Sequence, residues 1–83
     1  MFDIQDKPMA IRQLQTWLLE LSYFMEAMPR VAIDGIYGDE TRRAVRVYRR
    51  LKGLDDSDIV DLIVWLLLYD DYLEAKAQRL GLS

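Results

Sequence analysis

Apolar residues recur at alternating steps of three and four through the first part of the chain: Ile11, Leu14, Leu18, Leu21 and Met25. That spacing lines one face of a helix, and Trp17, Leu19, Tyr23 and Phe24 widen the stripe. Pro8 suits the first turn of such a helix, and Pro29 ends it or follows its end. A second set, Thr41, Ala44, Val45, Tyr48 and Leu51, again has helical spacing, with Gly38 and Asp39 before it and Gly53 as a C-terminal stop. Between the two, Val31 to Gly38 reads as a loop around the turn pair Asp34-Gly35. An acidic linker, Asp55, Asp56, Ser57 and Asp58, precedes a third helix capped by Asp61, running past Leu62, Trp65, Tyr69, Tyr72 and Leu73 towards Arg79. Val31–Ile33 and Ile59–Val60 are at most short extended pieces. The pattern predicts an all-α fold, a compact three-helix bundle over residues 11–80, with residues 1–10 as an N-terminal extension.

A faint internal echo runs through this pattern. The stretch from Asp34 to Thr41 and the stretch from Ser57 to Val64 each place a turn, two apolar residues and a helix start in the same order.

With 83 residues the chain is one small domain. Its 52% hydrophobic and 11% aromatic residues can supply a dense core and argue against intrinsic disorder. It contains neither cysteine nor histidine. That excludes disulfide scaffolds, thiolate zinc sites, iron–sulfur clusters and cysteine nucleophiles, and removes the commonest general base. The net charge of −3 gives no overall attraction to nucleic acid or anionic lipid. Residues 1–10 carry Asp3, Asp6 and Lys7 and no apolar run, so they do not read as a secretory signal. The uncharged apolar stretch from Leu62 to Tyr69 is far shorter than the ~20 residues of a membrane span. The chain reads as soluble, and export would need a longer precursor or another route.

Several of these pieces together resemble the peptidoglycan-binding domain of bacterial cell-wall hydrolases and spore-cortex enzymes. Ile11, Leu14-Gln15, Leu18, Leu21 and Tyr23 follow that family's opening. Its most specific stretch, Asp-Gly-Ile-(Phe/Tyr)-Gly-x-x-Thr-x-x-Ala-Val, is intact as Asp34, Gly35, Ile36, Tyr37, Gly38, Thr41, Ala44 and Val45. Gly53-Leu54, Val60-Asp61 and Trp65 continue the match, which spans roughly residues 11–72. The chain departs from the pattern at Tyr48-Arg49 (usually Phe-Gln), at Asp58 (usually glycine) and at Val64 (usually threonine). It departs again at Ile63, Leu66 and Leu67, where polar or small residues are common. The resemblance implies the three-helix fold, a non-catalytic hold on bacterial peptidoglycan, no cofactor, and a place in the cell envelope or outside the cell, with a cytoplasmic location still open.

Four features are candidates for chemistry. In the bend, Asp34 ties the turn, Ile36 is expected to plug the core and the glycines permit the backbone path. The same bend, feeding a helix N-terminus, presents backbone donors, and Tyr37 beside it could stack on an apolar sugar face. The second is a basic stripe, Arg42, Arg43, Arg46, Arg49 and Arg50, which covers about a third of the second helix's circumference. Its like charges repel, so they need an anion: either the nearby Asp55, Asp56 and Asp58 or Asp70, Asp71 and Glu74, or an external polymer. The residues expected to hold the wall ligand are Asp34, Gly35, Tyr37, Arg42, Arg46 and Arg49. Nucleic-acid binding through the arginine helix is disfavoured by the net charge and by the long glycine-bearing loop before it.

The third is the last helix. It is apolar all round from Leu62 to Tyr69, more than one bundle can bury. The surplus is expected as a surface stripe at Ile63, Leu66 and Leu67, a face for self-association or a protein partner. The fourth is the pair of acidic doublets, Asp55-Asp56 and Asp70-Asp71. They have no burial to raise a pKa and are poor candidates for glycoside hydrolysis. Asp34, Asp39 and Glu40 lack the spacing of a calcium loop, so no metal site is expected.

Overall fold

The computed structural model describes residues 2–81. Three helices make up the fold: α1 (Pro8–Ser22), α2 (Asp39–Leu51) and α3 (Leu62–Arg79). No strand occurs among the described residues.

Pro8 occupies the first turn of α1, where its missing N–H leaves nothing unpaired. The helix stops at Ser22, earlier than the apolar stripe suggests; the Ser22 hydroxyl donates to the Leu19 carbonyl at 2.6 Å, competing with the helical ladder. Met25 follows in a series of turns that ends at the buried Met28. In α2, Asp39 and Glu40 sit in the first turn and Arg49 and Arg50 in the last, matching the helix dipole at both ends. Gly53 takes a φ of +73° just past α2, a left-handed conformation that glycine adopts without a Cβ clash. Asp61 caps α3, its carboxylate accepting from the Val64 N–H at 2.9 Å.

The core joins Ile11, Leu14, Leu18 and Leu21 of α1 to Ala44, Val45 and Tyr48 of α2 and to Val64, Leu68 and Ala75 of α3. Each large apolar side chain so enclosed contributes about 1.5–3 kcal/mol. α1 packs chiefly on α3, where Trp17 meets Trp65 edge-on with ring centroids 4.6 Å apart. At the far end, Arg79 holds the buried Glu20 with a fork of 2.9 and 3.0 Å contacts, tying the ends of α1 and α3 together.

Two expectations need correction. Leu51, placed on the apolar arc of α2, is exposed, because it is the last residue of the helix, beyond the final core position at Tyr48. Residues 1–10, expected as an extension, are not separate in their described part: Ile4 is buried in the core, and Pro8, Met9 and Ala10 belong to α1.

Candidate functional site

The bend between α1 and α2 is organised by one side chain. Gln15 is fully buried on the core face of α1. The two N–H groups of its amide nitrogen are shared among three acceptors in reach, Asp34 Oδ1 (2.9 Å), the Ile36 carbonyl (3.1 Å) and Thr41 Oγ1 (2.9 Å). Its carbonyl oxygen accepts from the N–H groups of Asp34 (3.0 Å) and Gly35 (2.9 Å). The carboxamide thus bridges α1, the bend and the first turn of α2. Asp34 Oδ1 also accepts from the Ile36 N–H at 2.9 Å. These two hydrogen bonds, the backbone one first, hold its carboxyl below the usual carboxylate value. Gly35 has a φ of +77°, the left-handed region that favours glycine, and a Cβ there would sit 3.2 Å from Arg12 Nε, so the arginine side chain would have to give by a few tenths of an ångström. Gln15 was not among the residues expected to act here. Its signal was present: a polar residue four after Ile11 and three before Leu18 lies on the apolar face and must find partners there.

The arginine stripe of α2 is laced to the linker that follows it. Arg42 and Arg46 share the Asp58 carboxylate at 3.6 and 3.5 Å. Arg46 and Arg50 reach Asp56 at 3.8 and 3.7 Å. Arg49 is only 9% exposed and donates to the carbonyls of Asp55 (3.0 Å) and Ile59 (3.1 Å). The internal partner foreseen for this stripe is therefore present, and Arg49 is a strut within the fold where Arg42 and Arg46 remain open to solvent.

The roles of Ile36 and Tyr37 are the reverse of those expected. Ile36 is 65% exposed and does not plug the core, while Tyr37 is 8% exposed and does. The Tyr37 hydroxyl donates to the Asp58 carbonyl, and the Arg42 guanidinium lies 4.7 Å from its ring centre. Burial, with the Asp58 charge behind it, pushes the phenol up to about 12. Tyr37 is thus no open platform for a sugar. Beside it, a pocket of about 200 Å³ opens between residues Phe2–Gln5, Tyr37 and Ile59-Val60.

On α3, Ile63 and Leu66 are 64% and 55% exposed as expected, whereas Leu67 is half-buried against the core. Leu67 lies one residue from Leu68, on the core side of the helix. Among the acidic doublets, Asp71 accepts from the Tyr48 hydroxyl at 2.6 Å and pairs with Lys52 at 3.1 Å. Among the described residues, no three carboxylates come together in a way that could hold a metal ion, and no helix is long and apolar enough to cross a membrane.

Residues 9–68 match the family described as "Putative peptidoglycan binding domain". The chain belongs to this family. No curated protein sequence and no solved structure matches it significantly. Within this peptidoglycan-binding domain, the match takes in Gln15, the whole bend and the arginine face. It ends at Leu68, in the middle of α3, and leaves out the pocket wall at Phe2–Gln5 as well as Tyr69 and Tyr72.

Proposed function

We propose that the chain is a non-catalytic module that holds bacterial peptidoglycan at the cell envelope, through the surface around the bend. The family match over residues 9–68 carries this reading. A bend fixed by one buried carboxamide supports it, since a surface ordered in advance loses little freedom on binding. Asp34 and Ile36 stand exposed on that surface, with Gly35 between them. Next to it, Arg42 and Arg46 are held by ion pairs that at such exposure contribute only about 0–1 kcal/mol each. A peptide-stem carboxylate from the wall polymer can therefore displace Asp58 at small cost and gain a charge-assisted contact. The usefulness of such a hold is a raised local concentration of whatever is joined to the module on an insoluble substrate. Asp34, kept as a carboxylate by its hydrogen bonds, is the opposite of a general acid, which needs a raised pKa.

Co-sedimentation with purified sacculi tests the reading. The chain is expected to pellet, and the Arg42→Ala, Arg46→Ala double variant to pellet about tenfold more weakly. Unchanged pelleting of that variant would remove the arginine face as the site; no pelleting of the native chain would remove the function.

A second reading is favoured by the exposure of Ile63 and Leu66, with Leu62 and Leu73 also exposed on α3: a protein-docking or self-associating face on the same fold. Light scattering at high micromolar concentration separates the two, because a strict monomer counts against self-association. Nucleic-acid binding has less support, since the net charge of −3 gives the chain no overall attraction to a polyanion.

A further inference from the structure

Between α1 and α3 lies an open groove of about 410 Å³ lined by Gln13, Trp17, Trp65, Leu66, Tyr69 and Tyr72. We propose that this groove is a second binding subsite, one that takes the uncharged amino-sugar backbone of the glycan strand. The inference rests on the peptidoglycan-holding reading and assigns the sugar part of that polymer to a place apart from the arginine face.

Trp17 forms the floor. It is buried, with Trp65, Tyr69 and Tyr72 around it at centroid distances of 4.6, 5.3 and 6.2 Å. Its indole N–H is out of solvent and has no hydrogen-bond partner among the described residues. Tyr69 is exposed, and Trp65 and Tyr72 are half-buried, so aromatic surface faces outward from a rigid base. The negative face of an aromatic ring attracts polarised C–H bonds, and one face of a pyranose ring is a patch of such bonds. None of the lining residues is charged, and a cation beside them, Lys76 at 5.7 Å from the Tyr72 ring centre, disfavours a basic peptide as occupant. A sugar carrying an acetamido group needs both a donor and an acceptor. The exposed Gln13 carboxamide at the rim offers both, and the two tyrosine hydroxyls add more. A volume of this size is within the range of small-ligand sites.

The groove adjoins the bend side of the molecule. Phe2 packs tilted against Trp65, with ring centroids 5.6 Å apart, and also lines the pocket next to Tyr37. One polymer could thus meet both surfaces, its sugars in the groove and its peptide carboxylates at the arginines.

The test is a titration of the whole chain with a soluble, uncharged β-1,4-linked N-acetylglucosamine tetramer, followed by tryptophan emission. The protein has two tryptophans and both line the groove, so the signal reports on this site. A saturable emission change is expected. It should be about tenfold weaker in Tyr69→Ala, the size of one lost aromatic contact, and retained in Tyr69→Phe and in the Arg42→Ala, Arg46→Ala double variant. Leu66→Asn, at an exposed position, replaces Tyr69→Ala should the latter fail to fold. A silent titration, or binding unchanged by both groove variants, overturns the subsite even if the chain still pellets with sacculi. A dimer seen by light scattering, dissolved by Leu66→Asn and blind to the tetramer, also overturns it and makes the groove a contact between copies. Tetramer binding by a chain that does not pellet with sacculi upholds the groove while removing the wall-holding role.

Discussion

The two bends that introduce α2 and α3 share a local plan and differ in what holds them. In the first, Asp34 Oδ1 accepts from the N–H two residues on, at Ile36; in the second, Ser57 Oγ accepts from Ile59 in the same way at 3.0 Å. Ile36 and Ile59 are exposed, and the residues after them, Tyr37 and Val60, are buried. A helix cap position follows in each case, Gly38 and Asp61. The first bend is clamped from inside by the neutral carboxamide of Gln15. The second is clamped from the side by guanidiniums, chiefly Arg49 on the carbonyls of Asp55 and Ile59. The first turn needs glycine at its left-handed position. The second does not, because no non-glycine residue among those described has a positive φ, and Asp58 fits a different turn. Two bends with the same order of exposed, buried and capping residues, but different turns, can thus be stabilised by a buried neutral network or by a partly exposed ionic one. The first leaves one exposed carboxylate, Asp34, at the surface, and the second leaves the guanidiniums of Arg42 and Arg46, which an anionic ligand could recruit.

The comparison is broken most severely at Gln15. Gln15→Ala leaves the part-buried Asp34 and Gly35 N–H groups and the buried Thr41 hydroxyl without their partner, at about 1–3 kcal/mol for each group that stays out of water. A loss of about 3 kcal/mol is expected in urea unfolding, a large share of the roughly 5–15 kcal/mol that holds a domain folded. The matching change in the second bend, Arg49→Ala, removes two charge-assisted hydrogen bonds. It is expected to cost about 2 kcal/mol by the same measurement. A larger loss at Arg49 than at Gln15 would reverse the assignment of the stronger clamp.

Acid unfolding sharpens the contrast. The folded carboxyl of Asp34 titrates below its ordinary value of 3.8, so its contribution is present above that value and is lost as pH falls through the folded one. Asp34→Asn should flatten the stability profile below about pH 4, read from urea midpoints across that range; an unaltered acid limb would show that the first bend is not held through this carboxylate. The smallest effect is expected at the surface. Asp56→Ala removes two exposed ion pairs and should change stability by no more than about 0.5 kcal/mol.

The three helices were legible because their apolar residues fall on one face at helical spacing, and that periodicity survives without any tertiary information. The bend was legible as a motif, but the direction of its side chains was not. Ile36 and Tyr37 stand outside any helix, so no periodicity says which of them turns inward, and the Asp58 carbonyl that receives Tyr37 lies 21 residues away. Arg49 looked like its neighbours in a basic stripe. Its separate role comes from the return of the linker over α2, a feature of the tertiary path. The exposed α3 surface was foreseen from an excess of apolar residues, yet its membership shifted at Leu67 because the helix phase is set by Val64, Leu68 and Ala75. The aromatic groove was not foreseen, since its walls come from two helices far apart in sequence.

The most direct measurement is a binding isotherm of the chain on purified sacculi, with a soluble digest of the same sacculi as competitor. The account predicts saturable retention that the digest displaces. A chain that stays in the supernatant at every sacculus concentration, or is retained without saturation or displacement, contradicts it.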